Sequence, residues 1–312
     1  MKIVLLDKKY FLSDFPQNEW GAVWEEYDDT PEDKILARLS GAHIALTHGV
    51  KLNREIVSKL PDLKMISVNS TGYERIDVEA CKEFGVTVCN IKDWCTNSVV
   101  EHILSCMFAL NRLLPSYHSF VRNGNWKATP YEIAFKPAKE LRGSVIGIVG
   151  YGMLGKHLKS VCQAMGLTVL VSEHKNRTSV RNGYTLFNQV VRQSDFLVIQ
   201  TPLSNETYHM ISTEEFEMMQ DDAYLINCGR GGLIDEGALL KALEQNKIGG
   251  AALDVLEAET FENKALLHYK GSNLILSPHI AFASVQSIKK NTEMVLDNVR
   301  QYINGSPINV VN

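Results

Sequence analysis

Three ionisable side chains follow apolar, strand-like runs in the second half of the chain. Arg230 follows "AYLINCG", Glu259 follows "GAALDVLEA" and His279 follows "NLILSP". A guanidinium can bind a carboxylate through two parallel hydrogen bonds and polarise a neighbouring carbonyl group. An imidazole can transfer a proton near neutral pH, and a carboxylate on its second ring nitrogen fixes the tautomer. Together these groups could reduce a 2-oxo acid or oxidise a 2-hydroxy acid.

Each of these residues also has a plain structural explanation. Arg230 could be a solvated loop cation, Glu259 one acid of the charged stretch "EAET", and His279 a hydrogen-bonded corner residue. What favours chemistry is their common position, because ligands of open α/β sheets bind beyond the carboxyl ends of the strands.

A glycine-rich turn could hold the hydride carrier that this chemistry needs. The stretch "GIVGYGMLGKHL" (147–158) places Gly150, Gly152 and Gly155 in the G-x-G-x-x-G spacing, after a strand-like run and at the start of a helix. The first glycine permits the tight bend, the second admits a pyrophosphate, and the third lets helix and strand pack closely. The free N–H groups of the helix then attract the phosphates. The turn therefore predicts a dinucleotide site.

The residue that would read the ribose of that dinucleotide is Glu173, at the end of "TVLVSE". A carboxylate 18 residues beyond Gly155 can accept hydrogen bonds from the ribose 2′-hydroxyl and repels a 2′-phosphate, which favours NAD over NADP. The plain alternative is a surface glutamate after a buried strand. NADP stays open, because His174, Lys175 and Arg177 are nearby cations that could hold a 2′-phosphate.

Short apolar runs alternate with helical patterns along the chain. Such alternation implies βαβ units on parallel sheets. With 312 residues, 45% of them hydrophobic, the chain is long enough for two domains with separate cores. The predicted strands are 2–7, 43–48, 63–70, 86–90, 144–150, 168–173, 195–201, 223–228, 250–255 and 273–277, and the clearest predicted helices are 31–40, 53–60, 77–84, 235–247 and 284–307.

Residues 96–126 form a long, apolar helical pattern that Pro115 is expected to break or kink. The segment is too long for a simple connector. It is interpreted as a helix bridging two domains, with an outer face that another subunit could bury.

Charge and composition exclude several classes of partner. The formal net charge is −4 with a pI of about 6.2, and no basic stripe favours nucleic acid. No apolar run approaches the roughly 18 residues that span a bilayer. The N-terminal "MKIVLLDKKY" lacks the pattern of a secretory signal. The six cysteines show neither C-x-x-C pairs nor metal-ligand spacing, which predicts reduced thiols, no metal and a cytoplasmic protein.

Eight stretches carry a family resemblance: "STGYERID" (70–77), "TNSVVEHI" (96–103), "VRNGNW" (121–126), "LRGSVIGIVGYGMLG" (141–155), "TPLSNET" (201–207), "INCGRGGLIDEGAL" (226–239), "GAALDVLEAE" (250–259) and "LSPHIA" (276–281). Through them the chain resembles the D-isomer-specific 2-hydroxyacid dehydrogenases over nearly its whole length. The resemblance implies an α/β fold of two doubly wound parallel-sheet domains. A Rossmann cofactor domain (98–283) would be inserted into a flavodoxin-like substrate domain (1–97 and 284–312).

The resemblance also implies roles for particular residues. Arg230, Glu259 and His279 match the catalytic arginine, glutamate and histidine of the family. Backbone N–H groups of Ser70, Thr71 and Gly72 would bind the substrate carboxylate, with Arg230 and His279. Asp254 is expected to bond the nicotinamide carboxamide. The full set expected at the cofactor is Thr96, Gly150, Tyr151, Gly152, Met153, Leu154, Gly155, Glu173, Thr201, Pro202, Cys228, Gly229, Arg230, Asp254 and His279.

Three positions depart from the family pattern. Thr260 replaces a frequent proline after Glu259, and "QTPL" (200–203) lacks the histidine frequent before the Pro-Leu pair. Trp94 stands where smaller residues or tyrosine are usual, and it either shapes the substrate pocket or serves packing.

The stretch "STGYERID" is similar to glycerate dehydrogenases and hydroxypyruvate reductases, so D-glycerate and hydroxypyruvate are the expected substrate pair. Glyoxylate is the expected secondary substrate, and lactate or phosphoglycerate stays an alternative. A formate dehydrogenase is disfavoured, because that branch has glutamine in place of the glutamate. A non-catalytic NAD(H)-sensing protein of the same fold is the rival from another class. The family further implies a homodimer.

Overall fold

The computed structural model describes residues 1–11, 20–126, 137–258 and 265–312. These residues form two compact units. The first comprises Met1–Cys95 and Ala283–Asn312, and the second comprises Thr96–Phe282. The division lies at the first residue of a long helix, one or two residues from the boundaries that the sequence suggested. The assignment of the units to substrate and cofactor stays a prediction at this point.

The strands are short and lie close to the predicted runs. In chain order they are β1 (Lys2–Leu5), β2 (Val23–Glu26), β3 (Ile44–Thr47), β4 (Met65–Val68), β5 (Thr87–Cys89), β6 (Val145–Val149), β7 (Thr168–Val171), β8 (Phe196–Ile199), β9 (Tyr224–Asn227), β10 (Gly250–Leu253) and β11 (Leu274–Leu276). Only β2 lies outside the predicted runs, because this edge strand, "VWEE", is half exposed and carries no apolar run.

The helices also follow the predicted patterns. They are α1 (Ile35–Leu39), α2 (Arg54–Val57), α3 (Val78–Glu83), α4 (Thr96–Asn111), α5 (Leu114–Arg122), α6 (Met153–Ala164), α7 (Phe187–Gln193), α8 (Thr213–Met218), α9 (Glu236–Glu244), α10 (Ala265–His268) and α11 (Val285–Ile303). Short 3-10 turns lie at Lys8–Tyr10, Glu32–Lys34 and Gly231–Leu233.

The first unit contains a five-stranded parallel sheet in the order β2-β1-β3-β4-β5. This is the flavodoxin-like order. Alternate residues of its strands enter two different hydrophobic clusters: Val4 belongs to one, whereas Ile3 and Leu5 belong to the other. Both faces of the sheet are therefore buried, which explains why its central strands read as continuous apolar runs. Trp94 packs against the cluster that contains Ile3 and Leu5.

The second unit contains a six-stranded parallel sheet in the order β11-β10-β9-β8-β6-β7. Beyond β7, Thr185 forms an isolated parallel bridge with Ser172. With that bridge in the third position, β6 to β10 follow the order 3-2-1-4-5-6 of the dinucleotide-binding fold, and β11 adds a seventh parallel strand beside β10. The predicted fold class is confirmed.

The long helical segment 96–126 divides into α4 and α5. The break is at Leu113, whose φ of 50° is left-handed. Pro115 is the second residue of α5, where its missing N–H costs no hydrogen bond, so it starts a new helix. None of the residues of α5 is buried, and Leu114 and Phe108 expose 63% and 46% of their surface.

Within the ranges described above, no helix combines the length and the apolar character needed to cross a membrane.

Candidate active site

The carboxyl ends of the parallel strands of the second unit form one edge of its sheet. Ligands of such sheets bind at this edge, near the point where the strand order reverses. That point lies between β6 and β8. The edge carries residues of the predicted site after every strand: Gly150 after β6, Glu173 after β7, Thr201 and Pro202 after β8, Cys228, Gly229 and Arg230 after β9, Asp254 after β10 and His279 after β11.

The glycine turn after β6 has the geometry that its sequence predicted. Gly150 adopts a φ of +102°, and a side chain there would overlap the carbonyl group of Gln200 and lie 2.8 Å from the Thr201 nitrogen. A side chain at Gly155 would overlap the Gly150 carbonyl group. At Gly152, in contrast, no atom lies within 4 Å of the position that a Cβ would take. The first and third glycines are thus required by packing, whereas the second leaves space for a ligand.

Groups at the start of two helices and at the end of β8 fit a bound dinucleotide. Helix α6 begins at Met153 without a side-chain cap, so the N–H groups of its first turn can bind phosphate oxygens. Thr96 Oγ1 and Gln200 Nε2 are buried and have no hydrogen-bond partner among the described residues. Buried polar atoms without protein partners are uncommon, and a bound ligand is one group that can satisfy them.

The loop after β4 in the first unit presents free backbone donors. Its shape is held by Asn90, whose Nδ2 donates to the Thr71 carbonyl oxygen at 2.8 Å, and by the Ser70 hydroxyl, which donates to the Gly72 carbonyl oxygen. The N–H groups of residues 70–72 donate to no acceptor in the described part of the chain. Three adjacent free N–H groups can bind a carboxylate.

His48, at the carboxyl end of β3, is a candidate that the sequence analysis missed. Its backbone N–H and that of Gly49 donate to the buried Asp7 carboxylate, at 3.0 and 2.7 Å. Its Nδ1 lies 3.1 Å from the Asn69 carbonyl oxygen, which can only accept, so Nδ1 carries a proton. Its position directly after a buried strand is the signal that could have found it.

The Arg230 loop is organised by Asn227, a buried residue that the sequence analysis did not single out. Asn227 Nδ2 donates to the Arg230 carbonyl oxygen at 2.9 Å, and its Oδ1 accepts from the Gly229 N–H at 3.0 Å. The Arg230 guanidinium is half buried and donates to the Gly229 carbonyl oxygen at 2.9 Å. One guanidinium edge is therefore held close to its own loop.

Gly231 brings the loop after β9 into contact with the loop after β10. A side chain at Gly231 would overlap the Leu256 carbonyl group and the Glu257 nitrogen. The Glu257 carboxylate accepts from the Tyr208 hydroxyl at 2.5 Å, and its backbone N–H donates to Glu236 Oε1 at 2.6 Å. Glu259 itself lies outside the described residues. The Arg230 loop thus contacts the backbone that leads, two residues later, to the predicted catalytic glutamate.

His279 lies in a left-handed backbone conformation, with a φ of 55°. The Asp254 carbonyl oxygen accepts its N–H at 2.8 Å. The buried Asp254 carboxylate accepts from Ser277 Oγ at 2.5 Å, from the Ile280 N–H at 3.0 Å and from the Ala281 N–H at 2.8 Å. Asp254 thereby fixes the backbone on both sides of His279, and non-glycine residues in this conformation are concentrated at functional sites.

Helix α4 supports the same corner. Its His102 Nε2 lies 3.0 Å from Ser277 Oγ, and its Ser98 hydroxyl donates to the Ala281 carbonyl oxygen at 2.8 Å. Cys228 lies nearby, and burial, together with Cys106 and Asp254, raises the pKa of its thiol well above the usual range. The thiol therefore stays protonated and is no nucleophile.

The structure gives Glu173 a partner that the sequence did not indicate. Its carboxylate forms a two-pronged ion pair with Arg181, with Nε–Oε2 and Nη2–Oε1 distances of 2.9 and 2.7 Å. The predicted contacts of Glu173 with the ribose and of Asp254 with the carboxamide stay predictions. The cofactor contacts expected of a further set of residues also stay predictions: Tyr151, Met153, Leu154, Thr201 and Pro202.

The dinucleotide-binding fold and the glycine turn fit a nicotinamide-dependent oxidoreductase, and comparison with known proteins gives the family. Residues 104–281 match the family model for the NAD binding domain of D-isomer specific 2-hydroxyacid dehydrogenases. A glycerate dehydrogenase of Methylorubrum extorquens is 36% identical over 314 residues, which cover 99% of this chain and 98% of that protein. The chain belongs to the D-isomer specific 2-hydroxyacid dehydrogenase family.

Two solved structures share the fold over nearly the whole chain. An acyclic imino acid reductase in complex with NADPH and D-Arg has a TM-score of 0.88 at 28% identity, with both chains covered completely. A D-lactate dehydrogenase from Aquifex aeolicus, complexed with NAD and lactic acid, has a TM-score of 0.84 at 27% identity, with 98% and 96% of the chains covered. The chain is an NAD-dependent enzyme that acts on a small 2-hydroxy or 2-oxo acid, as the sequence predicted.

The contact at Gly231 can be tested with Gly231→Ala. The added methyl group must push the 256–257 backbone away, because no flexible side chain can yield there. We expect kcat for 2-oxo acid reduction to fall at least about tenfold, since small displacements of reacting groups are costly. NADH affinity, measured by fluorescence, should change little.

Gly232→Ala is the matched control, because its nearest neighbours are atoms of the Leu203 side chain at 3.2 and 3.3 Å, which can move. An equal loss of kcat in both variants would contradict a specific role for the contact at Gly231.

Proposed function

We propose that this enzyme interconverts D-glycerate and hydroxypyruvate, with glyoxylate as a secondary substrate. In the reductive direction, hydroxypyruvate, NADH and a proton give D-glycerate and NAD⁺. The observation that carries this proposal is the 36% identity to a glycerate dehydrogenase over 99% of the chain. The resemblance of "STGYERID" to enzymes of that specificity supports it.

The proposed chemistry requires a hydride donor, a proton donor and a group that polarises the substrate carbonyl. When bound, the nicotinamide ring supplies the hydride. The Arg230 guanidinium binds the substrate carboxylate and polarises the adjacent carbonyl. His279 donates the proton to the carbonyl oxygen, and Glu259 stabilises the protonated imidazole. The structure supports His279 through the strained corner that Asp254 holds.

Groups of the first unit account for recognition of the substrate. The free N–H groups of residues 70–72 bind the carboxylate, as the resemblance implied. A site that bonds a substrate hydroxyl discriminates strongly against an analogue that lacks it. An enzyme that acts on hydroxypyruvate is therefore expected to discriminate against pyruvate, which lacks the 3-hydroxyl.

The substrate proposal is tested by NADH oxidation with hydroxypyruvate, glyoxylate, pyruvate and 2-oxoglutarate. We expect kcat/KM for hydroxypyruvate to exceed that for pyruvate by at least about 100-fold, because pyruvate lacks only the 3-hydroxyl. Glyoxylate should rank second. A higher value for pyruvate would identify a lactate-type enzyme instead, and no turnover with any 2-oxo acid despite NADH binding would identify a sensor.

The proton-transfer roles make a prediction about pH. His279→Ala should abolish nearly all turnover and leave NADH affinity similar. Glu259→Gln should lower the pH above which reduction falls off, because the protonated imidazole loses its carboxylate partner. The two pH–rate profiles of kcat/KM give the measurement. Profiles that coincide would remove Glu259 from this role, and an unchanged kcat in His279→Ala would remove His279.

We further propose that the enzyme is a homodimer of the cytoplasm. Phe108 of α4 and Leu114 of α5 are exposed apolar side chains, which a second subunit would cover. No disulfide joins any of the six cysteines, all of which belong to the described residues, as expected of a reducing compartment. Sedimentation equilibrium should give twice the chain mass of 35.0 kDa, and Phe108→Glu should weaken the association. A single-chain mass for the unaltered protein would refute the dimer.

A further inference from the structure

A cavity of about 190 Å³ lies beside the carboxyl end of β7. The loop that closes it starts and ends in backbone hydrogen bonds, since the Glu173 N–H donates to the Thr185 carbonyl oxygen and the Thr185 N–H to that of Val171, both at 2.8 Å. In dinucleotide-binding sheets the adenosine ribose lies at this strand end. The cavity is lined by Glu173, His174, Arg177, Ser179, Val180 and Arg181.

The acid of this cavity has no capacity left for ribose hydroxyls. Glu173 Oε1 accepts from the His174 N–H and from Arg181 Nη2, and Oε2 accepts from the N–H and the Nε of Arg181. A carboxylate has about four acceptor positions, so these donors fill them. The side chain is 3% exposed. The hydrogen bonds from Arg181 and from the backbone lower the pKa of Glu173 to about 2.

Arg181 is held in place yet stays accessible. Its guanidinium stacks on Tyr184 at 4.0 Å, and the Tyr184 ring meets the edge of Tyr151, from the glycine turn, at 5.9 Å. The side chain of Arg181 is 56% exposed. Its Nη1 makes no hydrogen bond to any residue that the structure describes. A preorganised guanidinium with a free edge suits a phosphate oxygen.

The second arginine of the cavity, Arg177, has its guanidinium available for a ligand. Arg177 forms no side-chain hydrogen bond or ion pair within the described ranges, whereas Lys175 is bound to Glu215 at 2.6 Å and to the Met210 carbonyl oxygen at 2.8 Å. Ser179 adds a hydroxyl group to the lining. With two guanidinium groups against one carboxylate, the cavity attracts anions.

We propose that this cavity accepts the 2′-phosphate of NADP(H), so that the enzyme binds both nicotinamide dinucleotides. Arg177 and Arg181 donate to the phosphate oxygens, and Glu173 positions Arg181. The inference concerns the cofactor of the proposed reaction and rests on that function. Adenosine phosphates without a nicotinamide ring test it without turnover, so its failure and that of the substrate proposal are distinguishable.

The first experiment compares 2′,5′-ADP with 5′-AMP by isothermal titration calorimetry on the full-length protein. These ligands differ only in the 2′-phosphate. At low salt we expect 2′,5′-ADP to bind at least about tenfold tighter, with an advantage that shrinks as salt screens the guanidinium groups. The dissociation constants of NADP⁺ and NAD⁺ should lie within tenfold. Equal affinity for the two adenosine phosphates, or NADP⁺ binding more than tenfold weaker than NAD⁺, would overturn the proposal.

Arg177→Ala separates the phosphate contact from general effects on the site. This variant should bind 2′,5′-ADP about tenfold more weakly and bind 5′-AMP with unchanged affinity. The control is Arg192→Ala, an exposed arginine in the last turn of α7, which precedes β8 and so lies at the opposite edge of the sheet. Arg192→Ala should change the affinity for neither ligand. A loss in Arg177→Ala that is equal for both ligands would contradict the 2′-phosphate assignment.

Arg181→Ala should change the affinities for the two ligands in opposite directions. The variant loses a phosphate donor and leaves the Glu173 carboxylate free to repel a 2′-phosphate, so 2′,5′-ADP should bind at least about tenfold weaker. The same carboxylate can then accept the ribose hydroxyls, so 5′-AMP should bind tighter. Weaker binding of both ligands would show that Arg181 maintains the loop and would contradict its role at the phosphate. Thermal denaturation checks that both variants are folded.

Discussion

The buried carboxylate of Asp254 holds the corner on which the proposed proton transfer depends. A buried charge is tolerated only when hydrogen bonds replace its water, and here Ser277, Ile280 and Ala281 supply them. These donors flank His279 on both sides, so the turn cannot relax without leaving the charge unpaired. This constraint explains how a non-glycine residue keeps a φ of 55° at the end of an apolar strand.

The remaining groups reach this corner because parallel strands end at one edge of their sheet. Two glycines then let neighbouring loops approach to backbone contact: Gly150 lies against Gln200, and Gly231 lies against Leu256. The first contact places the phosphate-binding turn beside the end of β8. The second joins the arginine loop to the segment that leads to Glu259. Close backbone approach at these two glycines thus brings groups from different parts of the chain together.

The loop after β7 shows how a neighbouring residue changes the meaning of a motif. An acid at this strand end normally indicates recognition of a ribose hydroxyl. In this chain Arg181, eight residues further along, occupies the carboxylate and makes the surroundings cationic. The carboxylate keeps its charge but not its free acceptors. The position of Glu173 in the sequence favours NAD, whereas in the folded chain Glu173 lines a cavity that suits an anion.

The α/β class, the two units, the glycine turn and the family could all be predicted from the sequence, because apolar periodicity and glycine spacing are local properties of the chain. Strand β2 could not be predicted in this way, because this polar edge strand carries no such pattern. The partners of side chains, in contrast, are seen only in the folded chain: Asp254 with the His279 turn, Asn227 with the Arg230 loop, His48 with Asn69, and Glu173 with Arg181. Their separations range from 3 residues (Asn227 to Arg230) to 27 (Asp254 to Ala281), and neither apolar periodicity nor glycine spacing indicates them, because the conformation of the loops decides which polar groups meet.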